Sequence, residues 1–123
     1  YSPAKTYYQN KLALLMLSLY MRKHWEGIKV QAIRVTNVKV DMRRYDHLST
    51  FMKNLYKIKS RFSISPEKMA KVYTALSTED RYDGFLYDEK CREVKANRSA
   101  YEEEEQEKLY TLLEQMTCVK DNA

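Results

Sequence analysis

Apolar positions near the start of the chain recur with helical spacing. Leu12, Leu15, Met16, Leu19 and Tyr20 fall at i, i+3, i+4, i+7 and i+8, one stripe on a single helix face. Ser2-Pro3 marks the start, with Ser as N-cap and Pro at the first helical position. Arg22-Lys23-His24 suit the negative end of the helix dipole, and Gly27 is the stop. From Ile28 to Val35 the period changes. Ile28, Val30, Ala32, Ile33 and Val35 read as a mostly buried strand.

Asp41 to Arg61 is basic and aromatic, with Leu48, Phe51, Met52, Leu55 and Tyr56 at helical spacing; Phe51, Leu55 and Tyr56 read as core in preference to the lining of a binding site. Ser65-Pro66-Glu67 repeats the helix-start signature ahead of Met69, Val72, Tyr73 and Leu76. Asp83-Gly84 is a turn and Phe85-Leu86-Tyr87 a short strand. Ser99 and Glu102 form a capping box, and Glu102–Glu105 sit where a helix N-terminus favours negative charge. Leu109, Leu112, Leu113 and Met116 give the last helix its buried side.

The order helix, strand, helix, helix, strand, helix predicts an α/β class with parallel strands, because helical crossovers separate the two. Two strands make a poor parallel sheet, which needs both faces covered and more neighbours. Residues 1–123 therefore read as part of a larger sheet. The opening Tyr1, in place of Met, points the same way.

Composition narrows the class. Of the 123 residues 44% are hydrophobic, enough for a core, and two Gly and two Pro exclude collagenous or linker character. Charge is lopsided: residues 1–62 hold 13 Lys/Arg against 3 Asp/Glu, and residues 63–123 hold 9 against 14. A basic half attracts phosphates, anionic lipid or an acidic partner, although charge runs are most often solvated helix faces. Cys91 and Cys118 have no zinc spacing and no CxxC motif, so no metal site is expected. No apolar run reaches spanning length, since Leu12–Leu19 contains Ser18 and soon meets Arg22 and Lys23.

Tyr7 and Lys11 lie four residues apart on the first helix, hence on one face. A phenol titrates near pKa 10 and is a poor acid–base group at neutral pH; an adjacent ammonium favours the phenolate. The same Lys can hold a ribose hydroxyl. By spacing alone the signal is weak, because the chain has eleven Tyr.

The surrounding residues add context. Tyr1–Leu14, reading YSPAKTYYQNKLAL, resembles the active-site helix of short-chain dehydrogenases/reductases, whose pattern is Y-x-x-S-K-L-A. Tyr7 matches the family's catalytic Tyr and Lys11 its catalytic Lys, with Asn10 at the usual Ser. Gly27–Ile33 looks like the family's sixth strand, G-[IV]-x-V-N-A-[LI], and Asp41-Met42 like the end of the following P-G-x-V-x-T-D-M loop. Ser65–Ala70 is similar to T-P-E-E-G-A, Gly84–Asp88 to the last strand, and the final helix to the retinol-dehydrogenase-like branch.

The resemblance implies the C-terminal half of a Rossmann-type, doubly wound parallel sheet with two strands and about four helices. It also implies NAD or NADP as cofactor, contacted by Lys11, Val38 and Val40, and a hydrophobic alcohol or aldehyde of the retinoid or polyprenol kind as substrate. Segment 43–62 takes the place of the variable substrate region. An intracellular site follows, cytoplasmic or on the cytosolic face of the endoplasmic reticulum.

The loop departs from the pattern. Val35-Thr36 replaces Pro-Gly, so a β-branched side chain stands where the family's backbone approaches the nicotinamide. Val40 replaces the Thr hydroxyl. The only glycines, Gly27 and Gly84, cannot form the Gly-rich turn that cradles a pyrophosphate.

Two readings stay open: an oxidoreductase completed by an N-terminal half or another chain, and a degenerate relative kept as an interaction module in a large assembly. Nucleic-acid binding has only charge behind it, with no recognition motif.

Overall fold

The computed structural model describes residues 2–39 and 47–117. It is a mixed α/β chain: α1 (Pro3–His24), β1 (Ala32–Ile33), α2 (Thr50–Arg61), α3 (Pro66–Thr78), β2 (Leu86–Tyr87) and α4 (Glu103–Thr117), with a 3₁₀ turn at Arg98–Tyr101. Among the described residues the sheet has two strands, β1 and β2, paired in parallel. The chain divides into two compact units, residues 1–32, 84–86 and 94–123 in one and residues 33–83 and 87–93 in the other.

In the first unit α1 packs on α4 and on the 3₁₀ turn. Tyr20 stacks on Tyr110 with ring centres 4.1 Å apart, and Lys23 meets Glu103 at 2.6 Å. Both partners of that ion pair are exposed, so its contribution is small. Arg22 does more: one guanidinium nitrogen donates to the carbonyls of Val30 and Gly84, both at 3.0 Å. Ala32 donates its amide to Phe85 at 2.7 Å, the first rung of the parallel pair. Phe85, Leu86 and Ala100 are buried, and the buried Gln106 amide donates to the Ala100 carbonyl at 2.7 Å.

The second unit holds the larger core. Met69, Val72 and Leu76, at i, i+3 and i+7 on α3, pack with Tyr87, and Ile33, Val38, Ile64, Tyr82 and Cys91 close round them. Arg34 donates to the Tyr87 carbonyl at 2.7 Å, the second rung. Ser65 caps α3 by accepting the Lys68 amide at 3.3 Å. Past β2 the chain reverses at once. Asp88 donates its amide to Arg92 at 3.0 Å around the three-residue loop Glu89–Cys91, and Cys91 takes the left-handed conformation at φ 56° that usually selects Gly.

Several expectations are corrected. The strand foreseen over 28–35 shrinks to Ala32–Ile33, because the Val30 carbonyl is taken by Arg22 and Ile28 and Val35 point into solvent. The Ser2 hydroxyl makes no cap bond, although α1 starts where Ser2-Pro3 places it. α1 ends at His24 with Trp25 as C-cap, and the following Gly27, at φ 73°, supplies the left-handed turn. The Ser99–Glu102 capping box is replaced by Asn97, whose side chain accepts the Ser99 amide at 3.1 Å and caps the 3₁₀ turn. On α4 the buried residue is Gln106, whereas Leu112 and Met116 are exposed. On α2, Phe51, Leu55 and Tyr56 are exposed rather than core, and of the three Tyr56 alone lines the pocket beside the loop at 36–39.

Asp88 is the buried charge of the second unit. Its Oδ1 accepts the Lys90 and Arg92 amides at 2.8 and 3.0 Å, and its Oδ2 accepts Arg92 Nε at 2.8 Å. Burial alone pushes its pKa up. The amide and guanidinium of Arg92 and the amide of Lys90 outweigh that and hold it at about 2, below the ordinary 3.8. A depressed carboxyl stabilises the fold above its unfolded pKa and loses that contribution as pH falls through the folded one. Stability should therefore drop by on the order of 2 kcal/mol between about pH 4 and pH 2. Denaturant melts across that window should show the drop in the native chain. Asp88→Asn should be destabilised by about 1–3 kcal/mol at neutral pH and largely lack this acid limb.

Candidate functional site

Tyr7 and Lys11 lie in the first unit, one helical turn apart on α1. The Lys11 ammonium stands 5.5 Å from the centre of the Tyr7 ring, within cation–π range, and Tyr8 packs edge-on against the same ring. Helical geometry is what brings them together. No β-branched or helix-breaking residue lies between Tyr7 and Lys11, and the Thr6 amide and hydroxyl both bond back to the Ser2 carbonyl. Tyr7 is 57% exposed, so its hydroxyl is open to a ligand or to solvent.

The loop residues Val35, Thr36 and Val38 lie in the second unit; Val40 falls outside the described residues. Val38 bridges in parallel to Ile64: Ile64 donates to the Asn37 carbonyl at 2.9 Å and Lys39 to the Ile64 carbonyl at 3.0 Å. This pins the loop, and the Val38 side chain packs against the Met69–Tyr87 core. Thr36 and Val35 remain exposed.

Loop and helix enclose a cavity of about 280 Å³, lined by Thr36–Lys39 on one side and by Tyr56, Lys59, Ser60 and Ser63 on the other. It therefore joins the loop that the family resemblance assigns to the cofactor with the segment it assigns to the substrate. Tyr56, Lys59 and Ser60 fall at i, i+3 and i+4 on α2, and Ser63 follows just past its C-cap. Two lysines, two serine hydroxyls and a phenol suit a small polar or anionic group flanked by an aromatic ring.

The described residues hold no cluster of His, Cys, Asp and Glu able to bind a metal, and no helix among them is long and apolar enough to cross a membrane. The fit to a nicotinamide dinucleotide is partial. Lys11 suits a ribose hydroxyl, but among the described residues neither glycine stands in a turn that leads into a helix N-terminus, where a pyrophosphate is cradled: Gly27 follows the C-terminus of α1 and Gly84 precedes β2. Thr36 carries a branched side chain at the cavity wall where the family pattern has none.

No protein-family model, curated protein or solved structure matches the chain.

Since Val38 is fixed by core packing and Thr36 is not, their truncations should separate. Val38→Ala should lower unfolding free energy by about 1–2 kcal/mol. Thr36→Ala should stay within about 0.5 kcal/mol of the parent. Paired chemical denaturation curves measure both.

Proposed function

We propose that the chain supplies the proton-transfer part of an NAD(P)-dependent oxidoreductase of the short-chain dehydrogenase/reductase type. In this reading it is the C-terminal half of a Rossmann-type domain, completed by a dinucleotide-binding segment outside these residues. Its substrate is a hydrophobic alcohol or aldehyde. The observation that carries the reading is the Tyr7–Lys11 pair, set on one helix face with the ammonium beside the phenol ring. Parallel strands separated by helical crossovers add support.

The chemistry follows from the two side chains. Tyr7 donates its hydroxyl proton to a carbonyl oxygen on reduction, or accepts the alcohol proton on oxidation. Lys11 offsets the negative charge that develops on the phenol oxygen and offers its remaining N–H donors to a hydroxyl of the bound ligand. Hydride exchange is the chemistry that a bound nicotinamide supplies. Tyr7→Phe should abolish turnover and leave cofactor affinity largely intact, because one proton donor is removed and little else. Lys11→Ala should reduce both. Steady-state rates alongside cofactor titration of the completed enzyme make the comparison; undiminished turnover in Tyr7→Phe would remove Tyr7 from the reaction.

A second reading rests on Thr36, whose branched side chain lines the cavity in place of the family's Gly. On that reading the chain is a degenerate relative retained for its shape, an interaction module within a larger assembly. Lost hydrogen bonds and the added side chain together weaken nicotinamide binding by about a hundredfold. Titration with NAD(H) and NADP(H) before and after the triple change Val35→Pro, Thr36→Gly and Val40→Thr separates the two. Weak or absent binding that is restored by the triple change would favour the second reading over the first. Tight binding by the unaltered loop would discard the second reading.

A further inference from the structure

α2 is turned the unusual way round. The residues it presents to the loop cavity are Tyr56, Lys59 and Ser60, mostly polar. Its apolar residues Phe51, Leu55 and Ile58, with Phe62 at the C-cap, follow at i, i+4, i+7 and i+11 and fall within roughly 60° of arc. They face solvent, at 71, 46, 61 and 84% exposure. A helix in a globular protein normally buries its apolar stripe and solvates its polar one.

The flanks of the stripe are cationic. Arg61 borders it on one side and Lys59 on the other, Lys57 lies further round the polar face, and no acidic residue occurs anywhere between His47 and Pro66. Aromatic residues at both ends, aliphatic residues between and cations alongside are the composition of a helix that lies in a membrane interface. No helix among the described residues is long and apolar enough to cross a membrane, so the fit is to a helix lying in the plane of the bilayer surface.

We propose that α2 is an interfacial anchor, which seats Phe51, Leu55, Ile58 and Phe62 among the acyl chains of an anionic bilayer while Lys57, Lys59 and Arg61 engage lipid headgroups. The choice of a lipid surface over a protein groove rests on charge: a short apolar stripe bordered by Lys59 and Arg61, with Lys57 behind them and no acidic residue on the helix, matches a surface that is apolar within and negative at its face. This goes beyond the oxidoreductase reading and does not depend on it.

The test is co-sedimentation of the 123-residue chain with phosphatidylcholine vesicles, with and without about 30% phosphatidylserine. Binding should be at least about tenfold tighter with the anionic lipid and should weaken as ionic strength rises from about 0.05 to 0.5 M. The double change Phe51→Ser and Phe62→Ser alters exposed side chains and should abolish sedimentation without altering the circular dichroism spectrum. As an independent reporter, Phe62→Trp should shift its emission to the blue when anionic vesicles are added. Equal affinity for neutral vesicles, no sedimentation with either kind, undiminished binding by the double variant, or an unshifted Trp at position 62 would each overturn the proposal. An acidic protein as the true partner of α2 would appear as the second of these results.

Discussion

Two backbone hydrogen bonds join distant parts of this chain into an α/β fold. Ala32 donates to Phe85 and Arg34 to Tyr87, each at 2.7 Å and at the same offset, which sets the register of the parallel pair. Parallel pairing of strands more than fifty residues apart carries a large loop-closure entropy, so local preference alone does not hold it. The surrounding contacts show what offsets that cost. Within the first unit, Arg22 ties the carbonyls of Val30 and Gly84 immediately before the rung. Within the second, Tyr87 is buried among Met69, Val72 and Leu76, and Asp88 is gripped by Lys90 and Arg92 directly after it. A strand of two residues survives because both of its ends are fastened by groups outside the ladder.

Much of the fold was legible because it depends on local spacing. Ser2-Pro3 and Ser65-Pro66 place two helix starts correctly, since Pro at the first turn sacrifices no hydrogen bond. The period-3.6 stripe through Met69, Val72 and Leu76 identifies the buried face of α3. The long strand over 28–35 fails for a nonlocal reason: the Val30 carbonyl is satisfied by an arginine from the preceding helix, which apolar alternation does not encode. The capping box fails because Asn97, two residues earlier, wins the Ser99 amide and tightens the chain into a 3₁₀ turn.

The site was legible in part. Tyr7 and Lys11 meet because any helix brings i and i+4 together, so their proximity follows from helix formation alone. The cavity between Thr36–Lys39 and α2 was not legible, because hydropathy alone turns the apolar residues of α2 inward. The residues that α2 turns to the cavity are the polar set Tyr56, Lys59 and Ser60. Hydropathy assigns a helix its sides; it does not say which side meets protein. The same inversion separates what α2 does for the cavity from what its outer face is free to do.

The parallel pairing is the claim on which both the fold and the functional reading stand. Scalar coupling across hydrogen bonds, measured by nuclear magnetic resonance on the labelled chain, addresses it atom by atom. The account predicts couplings from the Ala32 amide to the Phe85 carbonyl carbon and from the Arg34 amide to that of Tyr87. Couplings from those amides to other carbonyls, or amides that exchange at solvent-limited rates with no coupling, would contradict it.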